Sequence, residues 1–162
     1  VEQNDWTNED WSEKGDISEL KYIFSDWHPE IQEILESTKP GSLFKWGLHD
    51  RAPMNKWSKG RFSLLGDAAH PMLPFIAQGA AMAIEDGIVL ASSLSSFDNV
   101  ALGLNDYENK RKYRTAKAQK TATRNATIFH LSDFFAIFRN LVMKFFIKKI
   151  MDSFYKYDAI SK

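Results

Sequence analysis

The sequence predicts an α/β fold that passes into a helical C-terminal region, and three observations carry that prediction. Arg61 to Leu65 is a short apolar strand that stops at Gly66-Asp67. Gln78-Gly79 opens a helix of small and apolar residues reaching about Leu94, after a loop in which Pro71 and Pro74 prevent an earlier start. Leu104 to about Phe129 then reads as a long basic helix, and Asp133 to Met151 as a further one.

The elements follow in order from local chemistry. Residues 1–16 read as the end of a strand and an acidic loop. Asp16 or Ser18 caps a short helix running through Phe24. His28-Pro29-Glu30 opens a second helix with Ile31, Ile34 and Leu35 on one face, and Pro40-Gly41 ends it. Leu43 to His49 alternates well enough for a strand, while Ala52-Pro53 and Lys59-Gly60 are turns. Ser95 to Gly103 is a connection. In the last helix Phe134, Phe138, Leu141, Val142 and Phe145 form a stripe suited to a core or a helix–helix interface. Asn140, Lys144 and Lys148 occupy another face.

Composition narrows the class. The chain has 162 residues, is 44% hydrophobic and 14% aromatic, and can bury a core. Its net charge is zero, so no global field favours nucleic acid or membrane. Charge is unevenly placed: residues 1–36 hold eleven acids against two lysines, and Lys110 to Arg124 is a basic run without acids. That run reads as a solvated helix face, not a nucleic-acid surface. No cysteine is present, which excludes a disulfide scaffold, a Cys-ligated metal and a thiol nucleophile. No metal site is expected, since His28, His49 and His130 lack ligand spacing. Residues 1–14 are not a signal peptide, and charges interrupt the apolar stretch from Phe134 to Ile150, so a cytoplasmic chain with no transmembrane segment is expected. Without an initiator Met, Val1 is expected to lie inside a longer natural sequence.

The stretch from Leu64 to Gly87 carries the chemistry. A strand delivers the Asp67 carboxylate to its C-terminal end, where α/β folds bind ligands. Gly66 allows close backbone approach, and a carboxylate is a good acceptor for sugar-like hydroxyls. Gly79 then starts a helix whose first amides lack intrahelical partners and favour negative charge. Gly79, Ala83 and Gly87 recur every four residues, so one helix face can lie close to a flat ring or a neighbouring backbone.

This pattern (apolar strand, Gly66-Asp67-Ala68, His70-Pro71, a Pro-containing loop, Gln78-Gly79, then Glu85-Asp86 in a helix) resembles the second FAD-binding motif of flavin monooxygenases that hydroxylate aromatic rings. The likeness is to salicylate hydroxylase and 6-hydroxynicotinate 3-monooxygenase relatives. It extends to Trp57 through Arg61, to Tyr107, Arg111 and Arg114, to the Trp27-His28-Pro29 run, and to Tyr155-Lys156-Tyr157-Asp158. The resemblance implies the C-terminal part of a Rossmann-like fold that binds FAD and NAD(P)H. Residues 1–48 would end the substrate domain, 49–105 form the second FAD-binding segment, and 106–162 a helical C-terminal region.

The resemblance also implies roles. Asp67, between Gly66 and Ala68, would accept a hydrogen bond from a ribityl hydroxyl of FAD. Pro74 would sit beside the isoalloxazine near its oxygen-reacting edge, and Gln78 at the flavin–substrate boundary. The amides at the helix start, Gly79, Ala80 and Ala81, would face the pyrimidine edge. NAD(P)H would be the reductant, and the partners a small aromatic acid or phenol and O2, with a homodimer left open. The family's Gly-x-Gly-x-x-Gly turn for the ADP moiety does not occur in these residues, nor does its middle motif, so this chain alone is expected to be inactive.

Other residues take plainer readings. His70 is assigned to shaping the loop ahead of Pro71 or to a place beside the flavin, not to general-base work. Glu85 and Asp86 point about 100° apart on a helix and form no shared-proton dyad. A structural ion pair from Asp86 to Arg111 or Arg114 fits better. The early tryptophans are assigned to packing. Two alternatives remain at this level: a non-catalytic helical interaction or membrane-surface module, and a flavin oxidoreductase of the same fold with other chemistry. For the second, the Trp-x-Trp-x-Ile-Pro signature of halogenases is absent from these residues.

Overall fold

The computed structural model describes residues 10–160, without the side chains of Asp133 and Ile150. Two compact units divide the chain, Val1–Leu48 and His49–Lys162.

In the first unit, α1 spans Ile17–Ile23 and α2 spans Pro29–Glu36. The Asp16 carboxylate caps α1 by accepting from the Ser18 amide, as the sequence predicts. Pro29 occupies the first turn of α2, where its missing N–H costs nothing. That helix stops at Glu36, ahead of Pro40, with the Ser37 amide still bonded to the Glu33 carbonyl. The strand expected from Leu43 to His49 does not form; its alternation finds one isolated bridge, Lys14 to Phe44. The strand end expected within residues 1–16 falls largely outside the described residues. Trp11, Trp27 and Trp46 are exposed, against the packing expected of them. Trp11 and Trp46 touch mainly each other, ring centroids 5.2 Å apart.

The second unit begins with a minimal hairpin, β1 (Ser58–Lys59) paired antiparallel with β2 (Phe62–Ser63). Two 3-10 turns, Gly66–Ala68 and Pro74–Ile76, lead to α3 (Gly79–Ser95), α4 (Val100–Phe129) and α5 (Asp133–Tyr155). The helix α4 starts earlier than Leu104. Asn99 accepts hydrogen bonds from the Ala101 and Leu102 amides and caps the helix there. Gly103 lets α3 and α4 pack closely: a Cβ at this position would lie 3.2 Å from the Leu94 Cα.

The core has two parts. Trp57, Ala69, Val89 and Tyr107 form one, and Ile76, Met82, Ala118, Ala122 and Phe154 the other. The Phe-rich stripe of α5 belongs to neither. Phe134, Phe138, Leu141, Val142 and Phe145 are all exposed, a correction to the expected core role within this chain. Most of α5 is exposed, Phe135, Ile137, Phe146 and Ile147 included, and the helix enters the core through Phe154 near its end. Arg139 Nη1 fastens the start of α5 by donating to the Ile128, Phe129 and Leu131 carbonyls.

Candidate functional site

Leu65 is extended, and the chain then bends sharply at Gly66, whose φ is +59°. Only glycine takes that conformation without strain, and the helix α3 adds a second constraint. A Cβ on Gly66 would meet the Ala83 Cβ at 3.3 Å. The Ala69 and His70 amides both return to the Gly66 carbonyl at 2.9 Å and close the turn. Asp67 stands exposed on its crest and faces the start of α3, where a Cβ on Gly79 would lie 3.9 Å from its Oδ1. Among the described residues no hydrogen-bond donor engages the Asp67 carboxylate. The Gln78 side chain does not cap α3, so the first amides of this 17-residue helix are left for another acceptor.

The turn is held from below by a buried carboxylate. Asp86 Oδ2 accepts from the Gly66 amide at 3.0 Å and from His70 Nε2 at 2.6 Å. Its other oxygen accepts from Arg111 Nε at 2.7 Å. Asp86, His70 and Arg111 are each 0% exposed. Burial pushes the Asp86 carboxyl up, but bonds from His70, Arg111 and Gly66 outweigh it and hold the group below its usual range. Burial likewise lowers the Arg111 guanidinium, and Asp86 and Glu85 more than compensate. Arg111 Nη1 lies 2.8 Å from Glu85 Oε2, within ion-pair range but out of line for a hydrogen bond. Arg114 grips Glu85 with both Nε and Nη2 and stacks on the Tyr157 ring at 3.8 Å. The basic run is therefore not wholly a solvated face: Arg111 lies in the interior and Arg114 close to it.

A depressed carboxylate pKa has a definite sign in stability. The Asp86 contribution is present above the unfolded pKa of about 3.9 and is lost as pH falls through the lower folded value. The difference in urea midpoint between the protein and its Asp86→Asn variant is expected to shrink as pH falls below about 4. A difference that stays flat to pH 3 would contradict this.

Around the turn, several bonds escape sequence reasoning. Glu108 Oε2 accepts from the Trp57 and Ser58 amides at 3.1 and 2.8 Å and pins the hairpin to α4. Arg51 donates to the Ala68 and Ala69 carbonyls, and Gln119 to those of Arg51 and Pro71. Asn125 donates to the Phe75 carbonyl. No spacing rule marks these residues, because each reaches a backbone atom far away in sequence. Ala77 adopts a left-handed conformation, φ 51°, and redirects the loop into α3.

Of the residues singled out from sequence, Asp67, Ala68, Pro74 and Ala80 are exposed, and Gly79 and Ala81 half-buried. Gly66 and Gln78 are buried, Gln78 with only 4% of its surface accessible. Gly66, Asp67 and Gly79 come together. The small-residue face divides: Ala83 meets the Gly66 turn, whereas Gly87 has open space beside it. The arrangement fits a ligand with hydroxyls at one end and an electron-rich edge at the other. A free carboxylate stands beside a helix start that no side chain caps, and a Cβ at Gly79 would narrow the gap between them.

Residues 3–122 match the family described as FAD binding domain. The chain is 43% identical over 120 residues to 6-hydroxynicotinate 3-monooxygenase of Pseudomonas fluorescens, covering 73% of this chain and 30% of that protein. It is 34% identical to 3-hydroxybenzoate 6-hydroxylase of Klebsiella oxytoca, over 96% of this chain and 37% of the relative. Among solved structures, a Klebsiella pneumoniae HpxO variant complexed with FAD superposes with a TM-score of 0.74 and 27% identity, over 84% of this chain and 37% of that one. The chain thus spans roughly a third of the relatives it matches, 30% and 37% of their lengths. With the Gly-Asp turn, the helix start behind it and the match across most of its length, the chain belongs to the FAD binding domain family.

Proposed function

We propose that this chain supplies the ribityl and pyrimidine side of the FAD site in an enzyme that hydroxylates a small aromatic acid or phenol with NAD(P)H and O2. The observation that carries the reading is the Asp67 carboxylate standing unengaged in front of the start of α3. Asp67 would accept from a ribityl hydroxyl, with Gly66 and Ala68 shaping the turn beneath it. The amides of Gly79, Ala80 and Ala81 would donate to the pyrimidine edge, where negative charge gathers on reduction. Pro74 would wall the loop beside the ring, and Gln78 would stand where ring and substrate meet. FAD, when bound, supplies the electron transfer and oxygen activation; these residues orient it and exclude water. Residues 49–105 would be the second FAD-binding segment, 106–162 the helical C-terminal region and 1–48 the end of the substrate domain.

The test uses the protein in its complete natural reading frame. Its purified form is expected to show a flavin absorption spectrum. Asp67→Ala is expected to weaken FAD affinity about 10- to 100-fold, the loss of one charge-assisted hydrogen bond. A folded protein that takes up no FAD, or an Asp67→Ala variant that binds as tightly as the parent, would refute the reading.

A further inference from the structure

We propose that Arg51 is a positioning residue of the cofactor site, aiming the Asp67 turn through the backbone and touching no ligand itself. This inference rests on the FAD reading above. Arg51 Nη2 donates to the Ala68 carbonyl at 2.8 Å and to the Ala69 carbonyl at 3.3 Å, the two peptide groups that follow Asp67. No carboxylate pairs with Arg51 among the described residues, so its charge falls on these two carbonyls. A guanidinium bonded to neutral carbonyls makes charge-assisted bonds, stronger than neutral ones.

The arginine is itself held in place. The buried Gln119 side chain donates through one nitrogen to the Arg51 carbonyl and to the Pro71 carbonyl, both at 2.9 Å. One residue earlier, the Asp50 carboxylate accepts from the Thr123 hydroxyl at 2.8 Å. The segment at Asp50-Arg51 and the Gly66–Pro71 loop are thus tied to the same stretch of α4. Between that segment and α4 lies an open cleft of about 550 Å³, lined by Arg51, Gln119, Lys120 and Arg124 among others. On the side of that cleft the segment is tied to α4 by the Gln119 and Thr123 bonds. Asp86 holds the turn at Gly66 and His70 from the α3 side, and Arg51 holds the Ala68 and Ala69 carbonyls between them. Together they fix the backbone on both sides of Asp67.

The experiment compares Arg51→Leu, Arg51→Lys and Asp67→Ala with the parent, all in the complete reading frame. FAD affinity of the apoprotein is measured by fluorescence quenching, and amide hydrogen exchange across residues 66–71 is followed without FAD. Arg51→Leu is expected to weaken FAD binding about tenfold. It is also expected to speed exchange in the 66–71 segment while the thermal midpoint stays within a few degrees of the parent. Arg51→Lys, which keeps a donor for the Ala68 carbonyl, is expected to recover most of the affinity. A parent that takes up no FAD overturns both the cofactor reading and this inference. FAD uptake that is sensitive to Asp67→Ala but within twofold of the parent in Arg51→Leu overturns this inference alone. So does a Lys variant as weak as the Leu variant.

Discussion

Arg111→Met is expected to lower the unfolding free energy by about 3–5 kcal/mol, the range for removing one partner of a buried ion pair. The guanidinium is completely buried and touches Asp86, Glu85 and the Met82 carbonyl. Methionine nearly fills the volume, so the loss is not a cavity effect. What remains is an Asp86 carboxylate, itself 0% exposed, with only His70 and the Gly66 amide against its charge. Urea unfolding at pH 7 measures the effect, and a shift below about 1 kcal/mol would mean that the pair is not closed in solution. A second comparison separates charge from shape. Arg111→Met combined with Asp86→Asn is expected to cost clearly less than the sum of the single changes, since the second removes the stranded charge.

Tyr107→Ala should cost a similar amount, about 3–5 kcal/mol, as large aromatic truncations in a core do. The ring is 0% exposed and packs with Trp57, Ala69 and Val89, its centroid 5.8 Å from that of Trp57. Its hydroxyl donates to the Leu64 carbonyl at 3.3 Å. Burial, and then the neighbouring Asp86 charge, push that hydroxyl above its ordinary pKa, so it stays a neutral donor throughout the physiological range. Tyr107→Phe deletes only this bond and is expected to cost about 1 kcal/mol. Equal losses in the two variants would show that the hydroxyl, not the ring, holds α4 to the run leading into the Gly66 turn.

The sequence made the site legible where one short stretch contains both ends of an interaction. Gly66-Asp67 and Gln78-Gly79 announce a turn and a helix start, and the structure brings them face to face. An ion pair from Asp86 to Arg111 or Arg114 is readable in the sequence, and the structure gives Arg111 to Asp86 and Arg114 to Glu85. Where a partner lies at the wrong distance or is absent, pattern fails. Leu43 to His49 has the alternation of a strand, yet a strand needs a neighbour, and one bridge to Lys14 is all it finds. The Phe134 stripe has helical spacing, but spacing does not say whether another element lies against it. The early start of α4 is marked only by Asn99, one of several polar residues between Ser95 and Gly103 that could cap a helix. Arg51 and Gln119 left no trace, since both act on carbonyls that every residue possesses.

One oxygen atom, Asp86 Oδ2, receives the Gly66 amide at the beginning of the turn and the His70 ring at its end. A loop fastened at both extremities to the same point has little slack to lose when something settles on it. Capture of a ligand there demands scant ordering of the backbone, so more of the contact energy survives as affinity. The same economy concentrates risk: withdrawing that atom unfastens Gly66 and His70 from α3 together, leaving the crest to its internal amide bonds and to Arg51.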